Sequence, residues 1–323
     1  MANDSKPALF RTHFKALGGP CDIQLFAPES LCALLFEMAR QELQRIESKY
    51  SRYLATSFLS EVNGQAGKAA LPVDAETQKL FEVADMLYEQ SNAAFDITSG
   101  AYRKAWPFGS DRAQAKGSLK RNRDDKLDTI LPPSPEQLAE LARHVGWTKV
   151  QRQGNTVFLP DSAMQLDLGG IGKEYAVDRL GEMLTTKAKA QGLSLCGLIN
   201  LGGDVVALGK RPDGHPWQLG IQHPRKPGAV LATLDLSGQA LATSGDYERF
   251  VFIDGRRHSH VLDARTGWPV SYWQSVSVVA PSCLVAGSLT SLAMVLQAEG
   301  LDLLKASGLN FLAVGPDGQV HSA

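Results

Sequence analysis

Cysteine is scarce and scattered. Cys21, Cys32, Cys196 and Cys283 are the four, and none stands in CxxC spacing. A disulfide scaffold and a cysteine-rich metal site are both poor readings, which leaves reduced, mostly buried thiols. Charge of one sign is lacking too. Lys+Arg 33 against Asp+Glu 34 gives a formal net charge of -1, so no global field draws the chain to nucleic acid or anionic lipid. The one basic run, between Lys116 and Lys126, is broken by Asp124 and Asp125 and reads as a solvated loop. No apolar window approaches the ~20 residues of a membrane helix. The N-terminus, MANDSKPALFRTHF, has no apolar stretch that suits a signal-peptide core. The expectation is a cytoplasmic chain with no visible membrane anchor and no nucleic-acid partner.

What is present suits a globular protein. The 323 residues are 44% apolar and 21% charged, enough to bury a sizeable core as one large domain or two intertwined halves. Leu31, Leu34, Leu35, Met38, Leu43, Ile46 and Tyr50 fall near helical spacing and predict a helix over residues 31–50. Others are expected over 75–94, from Pro135 onward, over 173–190 and over 284–296. A hairpin is expected at 149–160, turning at Gly154-Asn155. Short strands are expected at 195–201, 205–208, 217–221, 230–236, 250–253, 260–262, 275–280 and 309–314. Helices and strands do not alternate regularly, which favours an α+β fold, with mixed or antiparallel sheets and flanking helices, over a doubly wound one. Residues 110–135, rich in charge and ending in prolines, read as an inserted, protruding loop. Residues 1–12 are expected to be flexible.

Four clusters carry possible chemistry. Asp167-Leu168-Gly169-Gly170-Ile171-Gly172-Lys173 places three glycines ahead of a helix, where unpaired N–H groups and Lys173 suit an anion. Taken alone it reads equally as a tight turn. Asn200-Leu201-Gly202-Gly203-Asp204 is a second glycine pair, and by itself a β-turn is the better reading. The third runs from Ala242 through Asp246 to Tyr247 and continues from His258 to Gly267. It is dense in hydroxyls, carboxylates and imidazoles, and His258 and His260 would share one face of a strand. A zinc pair there lacks a third ligand. The fourth, Ala94-Phe95-Asp96-Ile97-Thr98, follows a helix and alone reads as its stop.

In order along the chain, these clusters resemble the motifs of one family, the ApbE family of FAD:protein FMN transferases. Ser51-Arg52-Tyr53 through Asn63 resembles its first motif, and Phe95 to Thr98 its F-D-x-T. Asp167 to Lys173 resembles D-L-G-x-I-x-K-G, with Glu174 standing for the last glycine. Asn200 to Asp204 matches N-L-G-G-D, Ala242 to Tyr247 matches A-T-S-G-D-Y, and His260 to Gly267 resembles H-[IV]-x-D-P-x-T-G with Ala264 for the proline. The resemblance implies a single α+β domain that binds FAD, breaks its diphosphate, and moves FMN to a Thr or Ser hydroxyl of an acceptor flavoprotein, leaving AMP. It implies His260 and Asp246 for proton transfer. It implies cofactor contacts at Leu17 (where the family often has Met), Tyr53, Ala94, Phe95, Asp96, Asp167, Lys173, Val261 and Thr290.

The resemblance also implies Mg²⁺, held by the carbonyl of Gly170 and by the Asp and Thr of A-D-A-L-A-T. Here that stretch reads Ala286-Gly287-Ser288-Leu289-Thr290-Ser291. Ser291 keeps an oxygen. Gly287 has no side chain, and no carboxylate lies between Ser282 and Gln297. Mg²⁺ relies on carboxylate oxygen, so weakened metal affinity is expected. The alternatives to transfer are an FAD-binding relative without the activity and a flavin pyrophosphatase releasing FMN to water.

Overall fold

The computed structural model describes residues 8–106, 108, 119–120, 129–247 and 249–323. Most of the inserted loop expected at 110–135, and the first seven of the residues expected to be flexible, lie outside them. Eight strands form the main sheet. They are β1 (Leu9–Ala16), β2 (Gly19–Phe26), β3 (Cys196–Leu201), β4 (Asp204–Leu208), β5 (Ala240–Gly245), β6 (Ser275–Ala280), β7 (Phe311–Val314) and β8 (Val320–Ser322). Their order in space is their order in the chain, and every neighbouring pair is antiparallel. The sheet is a meander whose connections have been expanded into helices and smaller sheets.

The helices are α1 (Glu29–Tyr50), α2 (Phe58–Gly64), α3 (Ala75–Gln90), α4 (Pro135–Ala142), α5 (Gly172–Lys189), α6 (Cys283–Leu296) and α7 (Gly300–Ala306). One stripe of α1 is buried, with Leu31, Leu35, Leu43, Ile46 and Tyr50 on it, while Leu34 of the expected set falls off the stripe and is exposed. Asp74 caps α3, accepting from the Thr77 N–H at 3.0 Å, and Ser134 caps α4 ahead of Pro135. Strands alternate faces. Leu198 on β3 joins a cluster with Val205, Trp217, Ile221 and Leu236, under a hairpin of Trp217–Gln222 and Val230–Leu236. Ile199 and Leu201 face the opposite way, into the main core beneath α1, α5 and α6. The sheet is thus covered by helices on one side and a hairpin on the other.

Several boundaries differ from the sequence expectations. Helix α3 ends at Gln90, because Asn92 and Ala93 take φ of 49° and 65° and turn the chain. Residues 260–262 are not one strand. Arg256–Ser259 pairs with Phe250–Ile253, and His260 lies just beyond its end. Only His258 of the two histidines is in that strand, so the shared strand face dissolves. Residues 9–12 are held in β1 along its full pairing with β2. The stretch Cys283–Ala306 is, by length and composition alone, apolar enough to span a membrane. A 3-10 turn, with Gln297 at φ 53°, separates α6 from α7 within it, and α6 packs against β5, β6 and α5. Length and hydropathy cannot distinguish such a core helix from a span.

Candidate functional site

The glycine turn is built by backbone exchange with the fourth sequence cluster. The Asp167 N–H donates to the Ile97 carbonyl at 2.7 Å, which lays residues 95–99 beside 165–167. Phe95 then rests against Gly170. A Cβ at position 170 would come within 2.7 Å of the phenyl ring, so the close approach requires glycine. The chain enters α5 at Gly172 with no side-chain cap, and Lys173 reaches across the β3–β4 turn to Asp204, Nζ to Oδ2 2.6 Å. Gly202 and Gly203, at φ 59° and 99°, form that turn directly beneath the lysine stem. Two of the sequence clusters are therefore one structure.

Asp167 does more than line the turn. Its Oδ1 accepts from the Gly169 N–H at 2.9 Å, and its Oδ2 pairs with Arg103 and lies 3.4 Å from Arg52 Nε. Burial opposes its charge, but Arg103 and Arg52 outweigh burial and hold the carboxyl below the usual range. Arg52 also stacks over Tyr53, 4.0 Å from the ring centroid, while Tyr53 remains 50% exposed. Arg52, Asn63, Arg103, Gln165 and Asp167 line a hollow of about 210 Å³. A larger hollow of about 340 Å³, beside Lys49 and Phe58, contains none of the residues singled out by sequence.

His260 stands close to this cationic group. Its Nδ1 lies 3.2 Å from the Arg249 carbonyl, which also accepts the His260 backbone N–H at 3.0 Å. A carbonyl can only accept, so this contact places the imidazole proton on Nδ1 and leaves the Nε2 lone pair available. Burial, then Arg249 and Arg103, push its pKa down to about 4, and Lys173 adds to the effect. The ring is thus neutral near pH 7, with Nε2 unprotonated, in a field of cations. The guanidinium-bearing residues Arg52, Arg103 and Arg249 were not singled out by sequence reading. Only Arg52 stood inside a motif, and arginines elsewhere carry no spacing signal.

Asp246 is placed differently. Both its oxygens accept from Arg225, each at 2.6 Å. His260 and Asp246 thus have different partners, and no hydrogen bond joins them. Asp96 is turned inward: Oδ1 accepts from the Thr98 N–H and hydroxyl at 2.7 and 2.6 Å, and Oδ2 from the Trp147 N–H at 2.8 Å. It shapes the Phe95 loop. Ala94 is fully buried, its carbonyl accepting from the Ala264 N–H at 2.9 Å. Val261 packs on the core, and Leu17, at φ 51°, turns the β1–β2 hairpin towards Arg249. Thr290 is buried, bonded to Ser244 at 2.9 Å and to the Gly287 carbonyl at 3.0 Å.

The two oxygens expected around a metal do come together. Ser291 Oγ lies 3.5 Å from the Gly170 carbonyl oxygen. Among the described residues no group of three or more His, Cys, Asp and Glu side chains is arranged to hold a metal. The space at Gly287 is occupied. A Cβ there would overlap Cγ of Glu174 and lie 3.1 Å from its Cδ. Glu174 comes from the first turn of α5 and is only 7% exposed. Burial first, and Asp204 second, push its pKa up to about 7. The sequence signal for this contact was two separate departures from the family motifs, Glu174 and Gly287, whose proximity no spacing reveals.

Comparison with known proteins agrees with this geometry. The sequence profile of the ApbE family matches residues 17–313. The FAD:protein FMN transferase of Treponema pallidum is 31% identical over 331 aligned positions, covering 95% of this chain and 84% of the relative. That of Haemophilus influenzae is 30% identical, covering 77% and 68%. Among solved structures, the ApbE protein of Thermotoga maritima superimposes with a TM-score of 0.83 at 26% identity, covering 98% of this chain and 97% of that one. The apo form of the Pseudomonas stutzeri flavinyl transferase ApbE gives 0.81 at 26%, covering 99% and 96%. With the glycine turn, the paired arginines and the histidine assembled on this fold, the chain belongs to the ApbE family.

Proposed function

We propose that this chain is an FAD:protein FMN transferase: it takes FMN from FAD, attaches it to a Ser or Thr hydroxyl of an acceptor flavoprotein, and releases AMP. The observation that carries the reading is His260, with Nε2 available as a base and Arg249, Arg103 and Lys173 close enough to depress its pKa. A diphosphate needs neutralising charge, and the acceptor hydroxyl needs a proton acceptor.

In this reading Tyr53 offers a ring face for stacking, and Phe95 supports the glycine turn against which the diphosphate rests. His260 Nε2 takes the proton of the acceptor hydroxyl as its oxygen bonds to the phosphorus of the FMN half. The bond from that phosphorus to the bridging oxygen breaks, and AMP departs with the electron pair. Arg249 holds the imidazole tautomer through its carbonyl. Asp246, in the motif ahead of His260, is held by Arg225. Mg²⁺, when bound, supplies further charge neutralisation at the diphosphate, and the Gly170 carbonyl and Ser291 hydroxyl are the oxygens here that fit it.

The test is incubation with FAD, a divalent cation and an acceptor carrying a Ser/Thr target. Covalent flavin on the acceptor, with AMP released, is the expected result. Flavin bound without AMP under any divalent cation would replace this reading with that of an FAD-holding relative, which Gly287 favours. AMP without protein-bound flavin would indicate hydrolysis instead.

A further inference from the structure

The α5–α6 crossing holds a carboxylate that the transfer chemistry above does not use. Glu174 is buried, and its Oε2 makes no hydrogen bond. It lies over Gly287, close enough that any side chain there would displace it. Ser288, adjacent on α6 and 6% exposed, also has a buried hydroxyl with no partner. Asp204, 1% exposed, brings a second carboxylate nearby. Ser291 follows Gly287 by one helical turn on the same face of α6, with its hydroxyl towards the Gly170 carbonyl. Gly170 in turn stands one turn ahead of Glu174 at the mouth of α5.

Buried oxygens in this number, without donors to match them, are costly unless a cation joins them. Lys173 faces Asp204 but no hydrogen bond reaches Glu174 Oε2. The donor set is all oxygen: carboxylate, backbone carbonyl and hydroxyl. That is the chemistry of a hard divalent cation and unsuited to zinc. Oxygens shared by one Mg²⁺ at octahedral geometry stand about 3 Å apart, close to the 3.5 Å between the Gly170 and Ser291 oxygens.

We propose that Glu174 supplies the carboxylate of a divalent-cation site completed by the Gly170 carbonyl and the Ser291 hydroxyl, and that Gly287 lacks a side chain because Glu174 fills its place. An aspartate at 287 would carry its carboxyl carbon about 1.5 Å from its Cβ. The Glu174 carboxyl carbon lies 3.1 Å from that same Cβ position, so it serves nearly the same space from the opposite helix. The extra methylene of glutamate spans the gap between α5 and α6. The two departures, Glu174 and Gly287, become one exchange of a carboxylate between facing helices. This rests on the transferase reading only for what the cation is used for.

Metal binding is therefore measured on the chain alone, without FAD or acceptor, so that the two readings fail separately. Mn²⁺ is titrated as a paramagnetic stand-in for Mg²⁺, and free ion is counted by its electron paramagnetic resonance signal. The unmodified chain is expected to bind Mn²⁺ and to compete it off with Mg²⁺. Glu174→Gln, which keeps size and packing, is expected to weaken binding more than about tenfold. The exchange variant Glu174→Gly/Gly287→Asp is expected to restore it to within a few fold. As a second readout, Mg²⁺ raises the melting temperature of the unmodified and exchange chains and not that of Glu174→Gln. The proposal is overturned if Glu174→Gln binds Mn²⁺ as the unmodified chain does, or if the unmodified chain binds none. Glu174 would then be a protonated side chain that merely fills the space above Gly287.

Discussion

Asp167 and Glu174 flank the turn that begins α5, and both carboxyl groups are packed away from water. They are stabilised in opposite ways. Asp167 meets Arg103, Arg52 and a backbone N–H, and these outweigh burial and keep it ionised. Glu174 is left with its own Oε2 unbonded, and burial first and the nearby Asp204 second push its carboxyl up to about 7. Similar burial has opposite consequences because the neighbours differ, and those neighbours come from other elements. The Asp167 side of the turn suits an anionic ligand. On the Glu174 side the one lysine, Lys173, is paired with Asp204.

The largest expected effect comes from stripping the first carboxylate of its partner. Arg103→Ala should cost about 2–4 kcal/mol in urea denaturation, since it leaves a buried charge with only the longer Arg52 contact. The folded pKa of Asp167 lies below its unfolded value. Its stabilisation is therefore present above the unfolded pKa and is lost as pH falls through the folded one. Arg103→Ala should move that acid loss to higher pH, and adding Asp167→Asn should cancel most of the penalty. An unchanged acid limb would show that the pair is not what holds Asp167 ionised.

The second test sharpens the Glu174 side. Gly287→Ala should destabilise by about 1–3 kcal/mol, because the new methyl overlaps Glu174. In a Glu174→Ala background the same change should stabilise by up to about 1 kcal/mol, as alanine normally does within a helix. Equal effects in both backgrounds, read from melting curves, would mean that the two residues do not contact each other.

His260 feels three cations, Arg249 most strongly, then Arg103 and Lys173. As a base it works when neutral. Transfer should hold steady from pH 8 to about 6 and fall only as pH approaches 4. Arg249→Gln should move that acid limb upward towards the ordinary histidine value, measured as rate against pH at saturating FAD. The smallest effect is expected at Tyr53, which is half exposed. Tyr53→Leu should leave stability within about 0.5 kcal/mol and weaken FAD binding by about 1 kcal/mol through lost stacking. Loss of folding in that variant would show that the ring is structural.

Much of this was legible in the sequence wherever the signal is local. The buried stripe of α1, the start of α4 at Pro135, the hairpin at Gly154 and the glycine turn before α5 follow from periodicity and backbone preference. The early stop of α3 did not, because apolar spacing carries no mark of the positive φ that Asn92 and Ala93 adopt. Asp246 was visible as a carboxylate in a motif, but its partner Arg225 lies in no motif. His258 and His260 looked equivalent by spacing, and the end of the strand separates them.

By itself the sequence determined the α+β class, the family motifs, and the absence of a side chain at Gly287. Tertiary structure alone decided that Glu174 fills that absence, that Arg103 and Arg52 hold Asp167, and that His260 presents Nε2. The physical reason is one of range. Helix periodicity, caps and glycine turns act within a few residues. The charge state of a buried carboxylate is set by whatever the packed core brings beside it, and that comes from distant parts of the chain.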